Sequence, residues 1–176
     1  FVRDRPLGAA GALVILLMVF AAVLANALAP YDPLENDYGA MFQAPGGQHW
    51  LGTDSFGRDV LSRILYGSRT ALWVGFCSSL FGTTIGALIG VACAYFGGKT
   101  DLFTQRFMDI LLSFPLIVLA LVVVAVLGSE IWNVILAISI PMIPRAALVV
   151  RSSALALRQM AFIEAALTLG ASHWRV

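Results

Sequence analysis

The side chains that could perform chemistry in this sequence do not form a recognisable catalytic motif. Gly97-Gly98-Lys99-Thr100 has the ending of a phosphate-binding loop, but the pattern G-x-x-x-x-G-K-[ST] requires glycine where Cys93 stands. His49 and His173 are predicted on opposite sides of a membrane, and no H-E-x-x-H motif or carboxylate pair lies within an apolar run. The sequence therefore predicts no enzyme activity, no metal site, no cofactor bound by this chain and no means of hydrolysing ATP itself.

A short stretch near the end of the sequence could instead bind a partner by its shape. Ala165 and Ala166 are small enough to let another protein approach a helix backbone closely, and Glu164 adds one charge beside them. Gly170 allows a change of chain direction because it lacks a Cβ. Residues 152–169 contain no Pro or Gly, so one helix ending at Gly170 is predicted. The stretch is either a docking site for a soluble protein or the ordinary end of an amphipathic helix.

The composition is that of a membrane protein. The chain has 176 residues, of which 60% are hydrophobic and 12% are charged, against about 25% charged in an average soluble domain. The net charge of +1 gives no reason to expect nucleic acid as a partner. Cys77 and Cys93 lie in one apolar run and would be roughly 24 Å apart on a helix, so they cannot pair with each other.

Apolar runs predict an all-α, polytopic helical protein with four spans in the lipid bilayer, at about residues 7–29, 70–97, 108–127 and 131–150. Arg3 and Arg5 precede the first span, which predicts a cytoplasmic N-terminus by the positive-inside rule. Residues 30–69 would then be external, and residues 151–176, with Arg151, Arg158 and Arg175, would be cytoplasmic. The first run is interpreted as an uncleaved anchor, although its end also resembles a signal-cleavage site.

Local patterns add detail to these spans. Gly82, Gly86 and Gly90 recur every four residues and predict a helix face that packs backbone-close against another helix. Pro115 predicts a kink in the third span. The stretch Gly97-Gly98-Lys99-Thr100 is interpreted as a short inner turn, with Lys99, Asp101, Arg106 and Asp109 near the surface.

Three further expectations concern charges and prolines. Residues 59–65 predict an interfacial helix with an Asp59–Arg63 pair, and Arg106 with Asp109 predicts a second ion pair. Pro141 and Pro144 in the fourth span suit a moving gate or plain packing equally well.

The external segment carries the most specific pattern. Residues 51–69 match the string L-G-T-D-x-x-G-R-D-x-x-S-R-x-x-Y-G-x-R, which closely resembles a stretch in the C-type permease subunits of dipeptide and oligopeptide ABC importers. The same family order is found in Tyr31-Asp32-Pro33, in Gly97-Gly98 with Asp101 and Arg106, in Asp109 with Phe114-Pro115, and in the stretch from Glu164 to Gly170. The resemblance therefore covers nearly the whole chain.

This resemblance implies a partial transmembrane domain of a type I ABC importer, ending before the last two spans, in the cytoplasmic (inner) membrane of a prokaryote. The implied partners are a second permease subunit in a heterodimer, two ATPase subunits that carry ATP and Mg, and an extracytoplasmic substrate-binding protein. The ATPase-coupling residues would be Glu164, Ala165, Ala166 and Gly170.

In the external segment, the resemblance assigns a vestibule motif that either shapes the outer vestibule and meets the binding protein or builds only a self-folded cap. Its residues are Gly52, Thr53, Asp54, Gly57, Arg58, Asp59 and Arg63.

The sequence departs from the family in ways that leave alternatives open. Leu167 and Thr168 replace a pair that is often more polar and includes Arg, and Ala161 stands where an acidic residue is common. These changes could weaken electrostatic docking. The substrate could be a peptide, nickel or another small solute, and spans alone would also suit a channel or a structural membrane subunit outside the ABC class.

Overall fold

The computed structural model describes residues 6–170, apart from the side chains of Glu164, Ala166 and Leu167. Seven α-helices occur within this range: α1 (Pro6–Val23), α2 (Ala25–Leu28), α3 (Val60–Phe96), α4 (Gly98–Ser113), α5 (Leu116–Leu127), α6 (Ile131–Arg158) and α7 (Ala161–Thr168). Extended pairing within residues 6–170 is limited to one isolated bridge between Thr53 and Asp59. The fold is therefore all-α, as predicted. Arg3, Arg5, His173 and Arg175 lie outside the described residues.

The chain divides after Trp73 into two compact units. In the first unit, α1 and α2 together cover most of the first predicted span. Leu24 separates the two helices, and its carbonyl oxygen accepts hydrogen bonds from the N–H groups of Ala27 and Leu28. The helical structure ends at Leu28 because Pro30 follows closely and disfavours helix at the residue before it. Residues 30–59 and the first turns of α3 make up the segment that the sequence predicts to be external, which is called the external segment; it contains one short 3₁₀ turn at Tyr38–Ala40.

The prediction of a separate interfacial helix over residues 59–65 is wrong. Those residues belong to α3, which runs without a break for 37 residues, or about 55 Å at 1.5 Å per residue. Gly67 does not interrupt the helix, because one glycine costs only about 1 kcal/mol in a helix interior. A hydrocarbon core is about 30 Å thick, so α3 is long enough to extend well beyond it.

The predicted inner turn at Gly97-Gly98-Lys99-Thr100 is also wrong, because α4 begins at Gly98 and runs to Ser113. The distortion predicted at Pro115 is confirmed, and it is larger than a kink: α4 and α5 meet at a 90° bend. Phe114 adopts an extended conformation with ψ 136°, as expected for a residue that precedes proline. The Arg106–Asp109 ion pair is confirmed, with 3.7 Å between Arg106 Nη1 and Asp109 Oδ2.

In the second unit, the small residues of α3 face α6. A Cβ on Gly82 would lie 2.8 Å from Met142 Cβ, and one on Gly86 would lie 2.5 Å from the carbonyl oxygen of Ile143. A Cβ on Gly90 would lie 2.6 Å from the carbonyl oxygen of Ala147. The two backbones can approach this closely only because these positions lack side chains.

Helix α6 contains two prolines in its interior. Pro141 and Pro144 are buried, and α6 remains one helix through both of them. Nearby, Ser139 Oγ donates to the carbonyl oxygens of Ser78 and Ile135, and Ser78 Oγ donates to Ile135 O. These hydrogen bonds satisfy hydroxyl groups that would otherwise be buried without partners.

The prediction of one helix over residues 152–169 is wrong. The N–H of Gln159 bonds to Ala156 O and that of Met160 bonds to Leu157 O, so α6 ends in a tight turn before α7 begins at Ala161. This i to i−3 pattern is a common way for a helix to end. The turn contains neither Pro nor Gly, so the usual sequence signs of a helix end are missing.

Three described helices are long and apolar enough to cross a membrane: α1, α3 and α6. The pair α4 and α5 reaches that length only when both helices are counted together. Length and composition thus allow three spans, or four if the bent pair is one span. With 12 residues, α5 is about 18 Å long and too short to cross by itself.

Candidate functional sites

The external segment is held together by Asp54, whose carboxylate accepts several hydrogen bonds. Oδ1 accepts from the backbone N–H groups of Phe56 at 2.8 Å and Arg58 at 3.1 Å. Oδ2 lies 2.9 Å from Nε of Arg58 and 3.2 Å from Nη1 of Arg63. Asp54 is therefore the centre of a turn that places two guanidinium groups on one carboxylate.

The electrostatics of Asp54 follow from these contacts. Desolvation raises the pKa of the carboxyl, but the hydrogen bond from the Arg58 side chain and those from the N–H groups of Phe56 and Arg58 outweigh it. The pKa of Asp54 is lowered to about 2. The ionised carboxylate is thus the form that holds the turn.

Asp59 immediately precedes α3 and is only 2% exposed. Its Oδ2 accepts from both the N–H and the hydroxyl of Ser62, each at 2.7 Å, which is the geometry of a helix N-cap. Its Oδ1 lies 3.0 Å from His49 Nδ1. Desolvation raises the pKa of Asp59, but the hydrogen bonds from Ser62 and His49 outweigh it and the pKa is lowered.

The predicted Asp59–Arg63 ion pair is wrong. The Asp59 carboxylate turns back to cap the helix, and Arg63 pairs with Asp54 instead. The i, i+4 spacing assumed that both residues lie within the helix, whereas Asp59 is the residue that precedes it.

The two motif glycines fill positions that a side chain could not occupy. Gly57 and Gly52 both have φ +74°, in the left-handed region that favours glycine. A Cβ on Gly57 would overlap the carbonyl oxygen of Asp37, and one on Gly52 would overlap that of Gln43. Both residues therefore bring separate parts of the external segment into direct backbone contact.

Thr53 ties the motif to the earlier part of the segment. Its hydroxyl donates to Ala40 O and accepts from Gln43 N–H at 2.8 Å. All seven predicted motif residues thus form contacts within one unit. These contacts build the turns of the segment, and a role in shaping an outer vestibule or in meeting a binding protein stays a prediction.

Several residues that hold the external segment together were not among the predicted site residues. Tyr31 packs its ring against that of His49 at 4.7 Å and donates its N–H to Ser62 Oγ. Arg69 donates to Ala22 O, Val23 O and, at 2.9 Å, Asn26 Oδ1 near the end of α1. The spacing Asp-x-x-Ser is the one local sign of the helix N-cap at Asp59. The other partners lie too far apart in sequence to be paired by pattern.

The predicted coupling stretch lies in and after α7. Thr168 Oγ1 donates to Ala165 O at 2.8 Å, and Gly170 has φ +79° at the position where a left-handed residue commonly ends a helix. Phe162 is 60% exposed and Leu169 is 88% exposed. The side chains of Glu164 and Ala166 lie outside the described part of the chain. This short helix and the residue that follows it thus expose apolar side chains.

Comparison with known proteins identifies the family. Residues 2–45 match the N-terminal TM domain of oligopeptide transport permease C, and residues 82–176 match the binding-protein-dependent transport system inner membrane component family. The chain is 43% identical over 178 residues to a glutathione transport system permease protein of Pectobacterium atrosepticum, covering 100% of this chain and 58% of that protein. The counterpart in Escherichia coli O1:K1 is 43% identical over 176 residues, covering 99% and 58%.

The chain therefore spans 58% of the length of these curated relatives. The family match at residues 82–176 takes in more than half of the chain and includes the packed helices α4 to α6 and the stretch that contains α7. On this basis, the chain belongs to the family of binding-protein-dependent transport system inner-membrane components.

Proposed function

We propose that this chain is a membrane-spanning part of a permease subunit in an ATP-driven ABC importer for peptides. The observation that carries the proposal is the 43% identity, across the whole chain, to permease proteins named for glutathione transport. Glutathione is itself a small peptide-like molecule, and the match at residues 2–45 is to an oligopeptide permease domain. A small solute such as nickel is the alternative cargo within the same transport mechanism.

The importer requires partners that supply energy and substrate. A second, related permease would complete the pathway as a heterodimer, two ATPase subunits would hold ATP and Mg, and an extracytoplasmic protein would deliver the substrate. ATP-driven closure of the ATPases would move the permease helices as rigid bodies between outward-facing and inward-facing arrangements.

We assign the ATPase contact to α7 and the residues that follow it. The basic residues Arg145, Arg151 and Arg158 along α6 favour a cytoplasmic location for its end. With α6 ending inside, α7 would be within reach of a soluble ATPase, and four spans would place the N-terminus inside as well. Exposed Phe162 and Leu169 support docking into an apolar groove.

The test is to change Glu164 and Gly170 in the full-length permease assembled with its partners. Glu164→Gln and Gly170→Val are each expected to lower transport and substrate-stimulated ATP hydrolysis by about ten-fold, within the usual range of coupling between sites. Valine at Gly170 would strain the left-handed backbone that ends the helix. Transport into vesicles and ATP hydrolysis by the purified complex are the measurements.

The matched control is Glu130→Gln, because Glu130 is an exposed carboxylate that precedes α6 and makes no side-chain cap bond. It should leave both activities unchanged. Purification of the wild-type protein should also bring down an ATPase. Conduction without any associated ATPase would instead indicate a channel, and full coupling in both variants would remove the role assigned to α7.

A further inference from the structure

The end of α6 is attached to the corner between α3 and α4 by two arginines. The first is Arg151, whose Nε donates to Asp101 Oδ1 at 2.6 Å and whose Nη2 donates to Asp101 Oδ2. Such a two-bond arrangement fixes orientation as well as distance. Asp101 lies in the first turn of α4, where the helix dipole also favours a negative charge.

The second attachment is Arg158, the last residue of α6. Its Nη1 donates to Ala94 O at 2.9 Å. Ala94 lies in the last turn of α3, where carbonyl oxygens lack partners within the helix and a cation is favoured by the dipole. One arginine therefore contacts the end of α3 and the other contacts the beginning of α4.

The two arginines lie on the same side of α6. They are seven residues apart in sequence, which is close to two turns, or about 10.5 Å along the helix. The backbones of α3 and α6 are close at Arg151 itself, since a Cβ on Gly90 would lie 2.9 Å from Arg151 N. The end of α6 is thus held at several points, and α7 begins at Ala161, three residues after Arg158.

We infer that Arg151 and Arg158, with Asp101 and Ala94, form a two-arginine clamp that fixes the end of α6, from which the chain continues into α7, and transmits a displacement of α7 to the corner between α3 and α4. The inference rests on the proposed function, because it assumes that a partner ATPase pushes or pulls on α7. Without the clamp, a displacement of α7 that passes through the turn at Gln159 and Met160 would move the end of α6 alone. With the clamp formed, α3, α4 and the end of α6 move together.

The chain offers a closely matched control pair. Arg106 and Asp109 also form an Arg–Asp ion pair involving α4, but their side chains are 74% and 56% exposed. The side chains of Arg151 and Asp101 are 27% and 19% exposed. An exposed pair of this kind contributes little to the free energy of unfolding. Asp109→Asn and Arg106→Gln therefore control for loss of charge and loss of an ion pair.

The test uses the full transporter in proteoliposomes and measures the number of substrate molecules imported per ATP hydrolysed. Asp101→Asn and Arg151→Gln are each expected to lower this ratio at least about five-fold, at unchanged membrane abundance. The double variant should be no worse than either single variant, because residues that act as a pair show such non-additivity. Arg158→Gln should lower the ratio in the same direction, and the control variants should match the wild type.

The outcomes separate the clamp from the proposed function. If the wild-type protein neither imports nor associates with an ATPase, the proposed function fails. If it imports, and the clamp variants keep the wild-type ratio of import to ATP hydrolysis, then the ion pair only stabilises the fold and the inference is wrong. A lower ratio that appears equally in the control variants would contradict it as well.

Discussion

Replacing Gly86 with valine is expected to separate α3 from α6 and to destabilise the protein by at least about 3 kcal/mol, the upper end of typical overpacking costs. A Cβ at this position would lie 2.5 Å from Ile143 O and 2.6 Å from Ala146 Cβ. Because one of these atoms belongs to the backbone, no side-chain rotation can relieve the overlap. The measurement is the thermal midpoint and the monodisperse fraction of the detergent-purified protein.

The control for this prediction is Gly75→Val in the same helix. A Cβ on Gly75 would have no neighbour within 4 Å, so the added side chain has room. Because both variants replace glycine with valine inside α3, their change in intrinsic helix propensity is the same. We expect a midpoint close to that of the wild type. Equal midpoints for the Gly86 and Gly75 variants would show that the close approach of α3 and α6 is not needed for stability.

The glycine face illustrates what the sequence can predict about packing. The four-residue spacing of Gly82, Gly86 and Gly90 places them on one side of a helix, because four residues are close to one turn. That spacing predicts a close neighbour without naming it. The partner, α6, begins more than forty residues after Gly86 and carries no complementary pattern, so only the structure identifies it.

Helix boundaries were predicted less well than helices, and for identifiable reasons. The bend at Phe114 and Pro115 was expected at the right residues, because proline acts locally. Its 90° angle depends on how α4 and α5 pack on α6, which no local pattern contains. The end of α6 at Arg158 has no Pro or Gly, and the contact from Arg158 to Ala94 joins residues 64 positions apart.

The external segment shows the same division between local and distant information. The match to the family string identified Asp54 and Asp59 as important positions, and the Asp-x-x-Ser spacing is a local sign of a helix cap. The contribution of His49 could not be read in this way, because ten residues and two turns separate it from Asp59. Family resemblance thus identified the residues, and the structure identified their contacts.

Replacing Asp59 with alanine is expected to lower the free energy of opening of the external segment by about 2 kcal/mol. A helix N-cap and a hydrogen bond to a carboxylate each contribute about 1 kcal/mol or more. Cleavage of the native protein by trypsin at the nearby Arg58 and Arg63 should accelerate by about 30-fold, because proteolysis follows the population of the open state. Asp32→Ala is the control: Asp32 is an exposed acid of the same segment with one local bond, to Leu34 N–H at 2.8 Å. Similar acceleration in both variants would contradict the special role of Asp59.

The Asp59 carboxylate should also make the stability of the external segment sensitive to acid. The pKa of Asp59 is below its ordinary value of 3.8, so its ionised form stabilises the folded external segment. This contribution is fully present above pH 3.8 and is lost as the pH falls through the lowered pKa. Asp54, with its pKa near 2, acts in the same direction. Amide exchange of residues 49–69, corrected for intrinsic rates, should therefore rise on acidification in the wild type, with a smaller rise in Asp59→Asn. An identical rise in both proteins would mean that Asp59 is not the titrating group, because asparagine can accept the Ser62 hydrogen bonds but has no charge to lose.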